Sequence, residues 1–300
     1  MVYTVTFNPA IDLVVSLKEL SKGKINRCGS EEMFCGGKGV NVSVVLSRLG
    51  ISSKALGFVA GFTGTAVELM VEAEGVKADF VRLKEGSTRI NMKVKAVEET
   101  EINGQGPYIP QEAIKELFTK LDTLADGDTL VLAGSVPDSL PADIYEKILA
   151  HLSSKKIKFA VDAAKDLLLN SLKYKPFLIK PNNFELGEMF GVTLNGVEEI
   201  IEYAKRLKTM GAVNVLVSMA EKGAVLIDEH DRIHRCGVCR GEVLNSVGAG
   251  DSMVAGFIAG CEKGGYEYAL KLGTAAGGAT AFSKGLADRE KIFEMLKQLG

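Results

Sequence analysis

The apolar positions of this 300-residue chain fall into two kinds of pattern. Short continuous runs recur at Val2–Phe7, closed by Asn8-Pro9, and at 54–58, 129–133, 158–162, 177–179 and 213–218. Runs of this length, bounded by turn residues, read as strands buried on both faces. Between them lie stretches of helical period. Residues 39–49 carry apolar side chains at 40, 42, 44, 45, 46 and 49, a helix opened by a glycine turn. Further helices are predicted near 141–152, 164–170, 183–190 and 197–210, and then over 250–262, 266–282 and 288–299. Strands alternating with amphipathic helices predict an α/β fold, a doubly wound and mostly parallel sheet covered on both faces.

Two regions break the alternation. Residues 13–34 show no helical period, and 89–96 alternate polar with apolar ahead of a Glu- and Gly-rich turn. Both read as strands of a small one-faced β-sheet, about 13–34 and 87–106, set into the body as a lid. No repeat, low-complexity tract or linker divides the chain, so a single domain over 1–300 is expected.

Composition narrows the classes. Lys and Arg number 36 against 38 Asp and Glu, a net charge of −2 that argues against a nucleic-acid-binding surface. The N-terminus has no basic region and places Asp12 where a signal peptide stays apolar. The apolar stretch Val254–Cys261 is far shorter than the ~18 residues a membrane span needs. Five cysteines, at 28, 35, 236, 239 and 261, suit reduced thiols, and a cytoplasmic protein is expected. Cys236 and Cys239 form a C-x-x-C with no second pair and read as turn residues between strands. Glycine is in surplus, at 33 residues, where average usage gives roughly 21.

The surplus concentrates where chemistry is expected. No G-x-G-x-x-G, Walker A loop or protein-kinase motif occurs, and none of the three histidines sits in a motif. In Asn245-Ser-Val-Gly-Ala-Gly-Asp-Ser-Met-Val-Ala-Gly256, glycines open an apolar helix, so free amides and the helix dipole make an anion site. Asp251 in its first turn is open to two readings, a helix-capping carboxylate or a general base beside a phosphate cradle. Cys35-Gly-Gly-Lys-Gly-Val-Asn41 opens a second helix, where Lys38 adds a cation for an anion and Asn41 an amide for a sugar hydroxyl. Asp12, past the first strand, can accept from hydroxyls. Arg89, Asn91 and Lys93 share one face of a lid strand, and Lys24 and Arg27 lie in the other lid stretch. Asn182 and Glu185, at i and i+3, fit either a water-mediated Mg²⁺ site or an N-terminal capping box.

Two glycine-opened helices and an Asn-x-x-Glu element, in this order and spacing, resemble the ribokinase-like sugar kinases of the phosphofructokinase B family over nearly the whole chain. Gly36-Gly-Lys-Gly-Val-Asn41 resembles the family's N-terminal signature and Asn245–Gly256 its C-terminal one. Asn8-Pro-Ala-Ile-Asp12, Thr88–Lys93 and Glu98–Pro107 are most similar to the branch acting on fructose 1-phosphate.

The resemblance implies ATP-dependent phosphorylation of the C6 hydroxyl of that sugar, with Asp251 as base and Gly248, Ala249 and Gly250 as the anion hole. It sets Lys180 and the loop Ser218, Met219, Ala220, Glu221, Lys222 and Gly223 along ATP, with Asn182 and Glu185 ordering Mg²⁺. Asp12, Gly37, Asn41 and Ser135 would bind sugar hydroxyls or the loop around them. Lys38, Arg89, Arg27 and Lys93 would hold the existing phosphate. Ala220 departs from the glycine of many relatives, although Met219-Ala220 is usual for this branch. Asp162-Ala-Ala-Lys165 departs from a more usual Asp-Thr-Ser-Gly, so no role carries over to that stretch. Kinases of tagatose 6-phosphate or fructose 6-phosphate remain alternatives, as does a sugar-phosphate-binding regulator without catalysis. Neither nucleic acid nor membrane is an expected partner, and the lid sheet offers a surface for a homodimer.

Overall fold

The computed structural model describes residues 1–300. The chain starts in β1 (Val2–Thr6), enters a small sheet through β2 (Ala10–Ser16) and β3 (Ser30–Gly36), and returns by α1 (Lys38–Arg48) to β4 (Ser53–Ala60). There follow α2 (Gly61–Ala73), β5 (Lys77–Ala78), β6 (Val81–Leu83), the small-sheet strands β7 (Arg89–Lys95) and β8 (Thr100–Ile102), and α3 (Gln111–Leu121). The second half alternates β9 (Thr129–Ala133), α4 (Ile144–His151), β10 (Lys158–Asp162), α5 (Lys165–Ser171), β11 (Leu178–Ile179), α6 (Asn183–Phe190), α7 (Val197–Thr209) and β12 (Asn214–Ser218). A hairpin of β13 (Ala224–Ile227) and β14 (Ile233–Cys236) precedes α8 (Ala249–Lys263), α9 (Gly265–Ala281) and α10 (Arg289–Gln298).

The large sheet runs β14-β13-β12-β11-β10-β9-β1-β4-β5, with β6 also on β4. Pairings from β12 to β5 are all parallel, and only the β13–β14 edge is antiparallel. The side-chain period of two explains why these strands read as unbroken apolar runs. Leu130 and Leu132 enter a 41-residue core cluster on one face, while Val131 and Ala133 enter a 30-residue cluster on the other. Each leucine so buried contributes about 1.5–3 kcal/mol, so neither face tolerates a polar residue at little cost. The chain passes from β1 to β4 on one side and to β9 on the other, and such a reversal opens a crevice at the carboxyl ends of the strands. No helix is long and apolar enough to cross a membrane.

Several features differ from the pattern-based expectation. α2 and α3 go beyond the predicted elements. The small sheet, ordered β3-β2-β7-β8, begins at Ala10 rather than 13, and residues 17–29 between its first two strands form a loop. Cys236 closes β14 but no strand follows Cys239, so the pair does not sit between strands. Both side chains are buried instead, and burial pushes both thiols up.

Candidate active site

The parallel strands point their carboxyl ends to one edge, and there they deliver polar side chains. Asn8 and Ser135 follow β1 and β9, Asp162 and Ser218 end β10 and β12, and Lys180 follows β11. Two helix N-termini meet this edge. The first is held by β1, whose Thr6 Oγ1 accepts from the Val40 amide at 2.9 Å while Thr4 and Ser43 hydroxyls pair at 2.8 Å. That anchorage sets Gly37, Lys38 and Asn41 on the cavity wall.

The second is the start of α8, where Gly248 takes φ +80°, a left-handed conformation that favours glycine. The amides of Gly248, Gly250 and Asp251 make no hydrogen bond to the protein, whereas that of Ala249 donates to the Ser246 carbonyl at 3.3 Å. The free donors are therefore 248, 250 and 251, not the expected 248, 249 and 250. They open into a cavity of about 410 Å³ lined by Asp12, Lys38, Asn91, Lys93, Asp162, Lys180, Ser218 and Asp251, among others.

Asp251 is buried and makes no capping bond. Its Oδ2 accepts from Asn41 Nδ2 at 2.8 Å. Burial and then the charge of Asp162 push its carboxyl up to about 6, against the Asn41 hydrogen bond and the charges of Lys38 and Lys180. A carboxylate so raised is mostly ionised at neutral pH yet a better proton acceptor than an ordinary aspartate. Asp162, also buried, takes Lys180 Nζ on Oδ1 at 3.4 Å and Lys38 Nζ on Oδ2 at 3.5 Å. Lys180 Nζ lies beside the start of α8, 3.3 Å from where a Cβ on Gly250 would stand.

The small sheet forms the opposite wall. Register places Asp12 beside Asn91, which donates to Asp12 Oδ1 at 2.8 Å, and Val14 beside Lys93, which pairs with Glu101 at 3.5 Å. Arg89 donates through Nε to the Asn8 carbonyl at 3.1 Å, leaving its two terminal nitrogens without protein acceptors. It also lines an adjoining cavity of about 340 Å³ with Asn8, Gly134 and Ser135, and both cavities share Gly37, Lys38, Arg89 and Glu185.

Other expected residues fall differently. Arg27 lies exposed on the 17–29 loop, outside both cavity linings. Of residues 218–223 only Ser218, the last residue of β12, lines the cavity. Met219 is buried, Glu221 and Lys222 are exposed, and Ala220 holds φ +47°, in the left-handed region that favours glycine. Asn182 and Glu185 form a complete capping box, Asn182 Oδ1 accepting the amides of Phe184 and Glu185 and Glu185 Oε2 accepting that of Asn182. One carboxylate oxygen of Glu185 remains, and no three His, Cys, Asp or Glu side chains gather as a metal centre. Such a donor set fits a magnesium ion carried by phosphates and water rather than a protein cage. Sequence reasoning gave no role to Asp162, whose only signal was a charged residue closing an apolar strand.

Free amides at a helix start, a buried carboxylate with raised proton affinity and two lysines make the apparatus of phosphoryl transfer to a hydroxyl. The family described as pfkB family carbohydrate kinase matches residues 5–291, and the chain belongs to it. It is 45% identical over 300 residues to a 1-phosphofructokinase of Bacillus subtilis, covering 100% of this chain and 98% of that one. It is also 38% identical over 301 residues to a D-tagatose-1-phosphate kinase of Bacillus licheniformis, covering 100% and 98%. The crystal structure of phosphofructokinase-2 from Escherichia coli with substrates and products superposes with a TM-score of 0.92 at 25% identity, covering 99% of each chain.

Proposed function

We propose that this carbohydrate kinase transfers the γ-phosphoryl group of ATP to the C6 hydroxyl of fructose 1-phosphate, giving fructose 1,6-bisphosphate and ADP. The observation that carries the reading is a pair of adjoining cavities that share Lys38 and Arg89, one reaching the free amides of α8 and the other Ser135. A sugar with a phosphate at one end and a reacting hydroxyl at the other suits such a pair. The identity to a named 1-phosphofructokinase supports the same substrate.

In this reading Asp251 accepts the hydroxyl proton as the oxygen attacks phosphorus. The amides of Gly248, Gly250 and Asp251 hold the oxygens of the group in transit, where charge develops. Lys180 and Ser218 lie along the ATP phosphates. The two free nitrogens of Arg89 fork the substrate phosphate, Lys38 stands between that phosphate and the group in transit where the two cavities join, and Asp12, Asn91 and Asn41 orient hydroxyls. Mg²⁺ arriving with ATP would meet the free oxygen of Glu185 through water, where it neutralises phosphate charge. The small sheet acts as the lid, excluding water that would otherwise hydrolyse ATP.

Tagatose 1-phosphate, which differs only at C4, is the second reading, favoured by the relative named for it. ADP release measured with fructose 1-phosphate, tagatose 1-phosphate, fructose 6-phosphate and tagatose 6-phosphate decides among them. The highest kcat/KM for fructose 1-phosphate is expected. Preference for a 6-phosphate overturns the assignment, and sugar-phosphate binding without ADP release identifies a regulator.

The lid supports a homodimer. Met33, Leu13, Met92 and Ile102 lie in one row across its four strands on the face away from the cavity. Met33 and Ile102 stay about 60% exposed there. A second copy about a two-fold axis would bury this row on both subunits. Met33→Lys should halve the mass seen by light scattering, and a wild-type monomer overturns the dimer. ATP supply and five free thiols suit a cytoplasmic setting.

A further inference from the structure

Asp162 is the one carboxylate of the cavity that the proposed reaction leaves without a task, and it is almost wholly buried. It reaches the site from the end of β10, between β9 and β11 in the sheet. Each carboxylate oxygen takes a different lysine, one from the start of α1 and one from the residue after β11. Both separations, 3.5 and 3.4 Å, are longer than the 2.7–2.9 Å of a tight charge-assisted bond. The lysines are thus aimed by Asp162 but not locked to it. Lys38 keeps 45% of its side chain exposed and can turn toward a phosphate, whereas Lys180 is held at 6% beside the α8 amides.

We propose that Asp162 is a positioning residue, a shared counter-ion that aims Lys38 and Lys180 at the transferring phosphoryl group from two sides. It rests on the phosphoryl-transfer reading of the site. Without this anion neither lysine would keep an ion-pair partner within reach, and each would be free to follow a phosphate in the ground state. With it, their charge is directed to the point where the free amides of α8 converge. Asp162 therefore opposes ground-state anion binding and favours geometry, so its loss should separate affinity from turnover.

The charged groups facing Asp251 are Asp162 from β10, Lys38 from α1 and Lys180 after β11, with Asn41 as its hydrogen-bond donor. Two ammonium groups hold the Asp162 carboxyl below its ordinary range although burial alone would raise it, so it is the anion of the pair at neutral pH. Removing its charge should lower the proton affinity of Asp251.

Asp162→Asn keeps the shape and removes the charge. ATP affinity by calorimetry should be unchanged or tighter, kcat should fall at least about tenfold, and the acid limb of kcat/KM should move to lower pH. Asp162→Glu keeps the charge but displaces the lysines, so kcat should fall similarly with the acid limb in its wild-type place; this variant also serves if the amide does not fold. ATP binding weakened beyond about threefold, kcat within tenfold of wild type, or an acid limb unmoved by the amide overturns the role. ATP affinity does not depend on the sugar, so a wild type inactive on every sugar phosphate would reject the proposed function, whereas an active wild type with ATP binding weakened by Asp162→Asn would reject this role alone.

Discussion

Replacing Asp251 by asparagine should make the protein more stable and nearly inactive, both for the same reason. Its carboxyl stands at about 6 instead of the ordinary 3.8 because burial and Asp162 disfavour the charge. A group raised in the folded state contributes stability that is present below the unfolded value and lost as pH rises through the folded one. At pH 8 the ionised carboxylate therefore costs folding about 3 kcal/mol relative to an unperturbed one, at about 1.4 kcal/mol per pH unit. Asparagine keeps an oxygen for Asn41 and carries no charge, so Asp251→Asn should gain about 1–3 kcal/mol at pH 8. The gain should shrink toward zero near pH 4, where the wild-type carboxyl is protonated as well. Turnover should fall by at least about 10²-fold, the lower range for loss of a general base. Thermal unfolding at both pH values and steady-state ADP release measure the two effects. A melting-temperature gain equal at both pH values would refute the electrostatic reasoning, and near-wild-type kcat would refute the catalytic role.

The remaining expectations concern the pocket and one distant cluster. Arg89→Ala removes the two free guanidinium nitrogens and should raise KM for the phosphorylated sugar at least about tenfold more than KM for ATP, charge-assisted hydrogen bonds being worth about 1.5–3 kcal/mol; equal effects would show that Arg89 does not face the sugar phosphate. A Cβ on Gly36 would sit 2.5 Å from Asp12 Oδ2, so Gly36→Ala should push Asp12 off Asn91 and raise the sugar KM while ATP affinity holds. Weakened ATP binding would contradict that placement. Asp228, fully buried in the turn of the β13–β14 hairpin, accepts from His234, Arg232 and two backbone amides. Although burial opposes it, these donors hold its carboxyl well below the usual range. Its stabilisation is present at neutral pH and lost as pH falls below the ordinary carboxylate range, so Asp228→Asn should cost about 2–4 kcal/mol at pH 7 and less near pH 2. A melting-temperature deficit that does not shrink in acid would count against it.

Two elements show how far the chain's pattern could be read. Leu130–Ala133 was legible as a buried strand because both faces of the large sheet are covered, so no polar residue interrupts it. The glycine-opened starts of α1 and α8 were legible because a left-handed or unencumbered backbone excludes most other residues. The loop at 17–29 was not, since a one-faced sheet and an exposed loop carry similar mixtures of residues. Asn182 with Glu185, and Asp251, posed one question in sequence: does an acidic residue at a helix start cap it or serve chemistry? The first pair binds its own backbone within three residues. Asp251 finds its partner, Asn41, 210 positions away.

That contrast marks the division. Sequence alone determined the elements, their alternation, the two anion-binding helix starts and most of the cavity's side chains, because period, turn chemistry and backbone freedom act over a few neighbouring residues. Only the tertiary structure decided which amides are free, that Arg27 stands apart, and that Asp162 joins Lys38 to Lys180 opposite Asp251. Those pairings follow strand order in the sheet, and the energy of a buried charge depends on what the fold brings to it rather than on what precedes it in the chain.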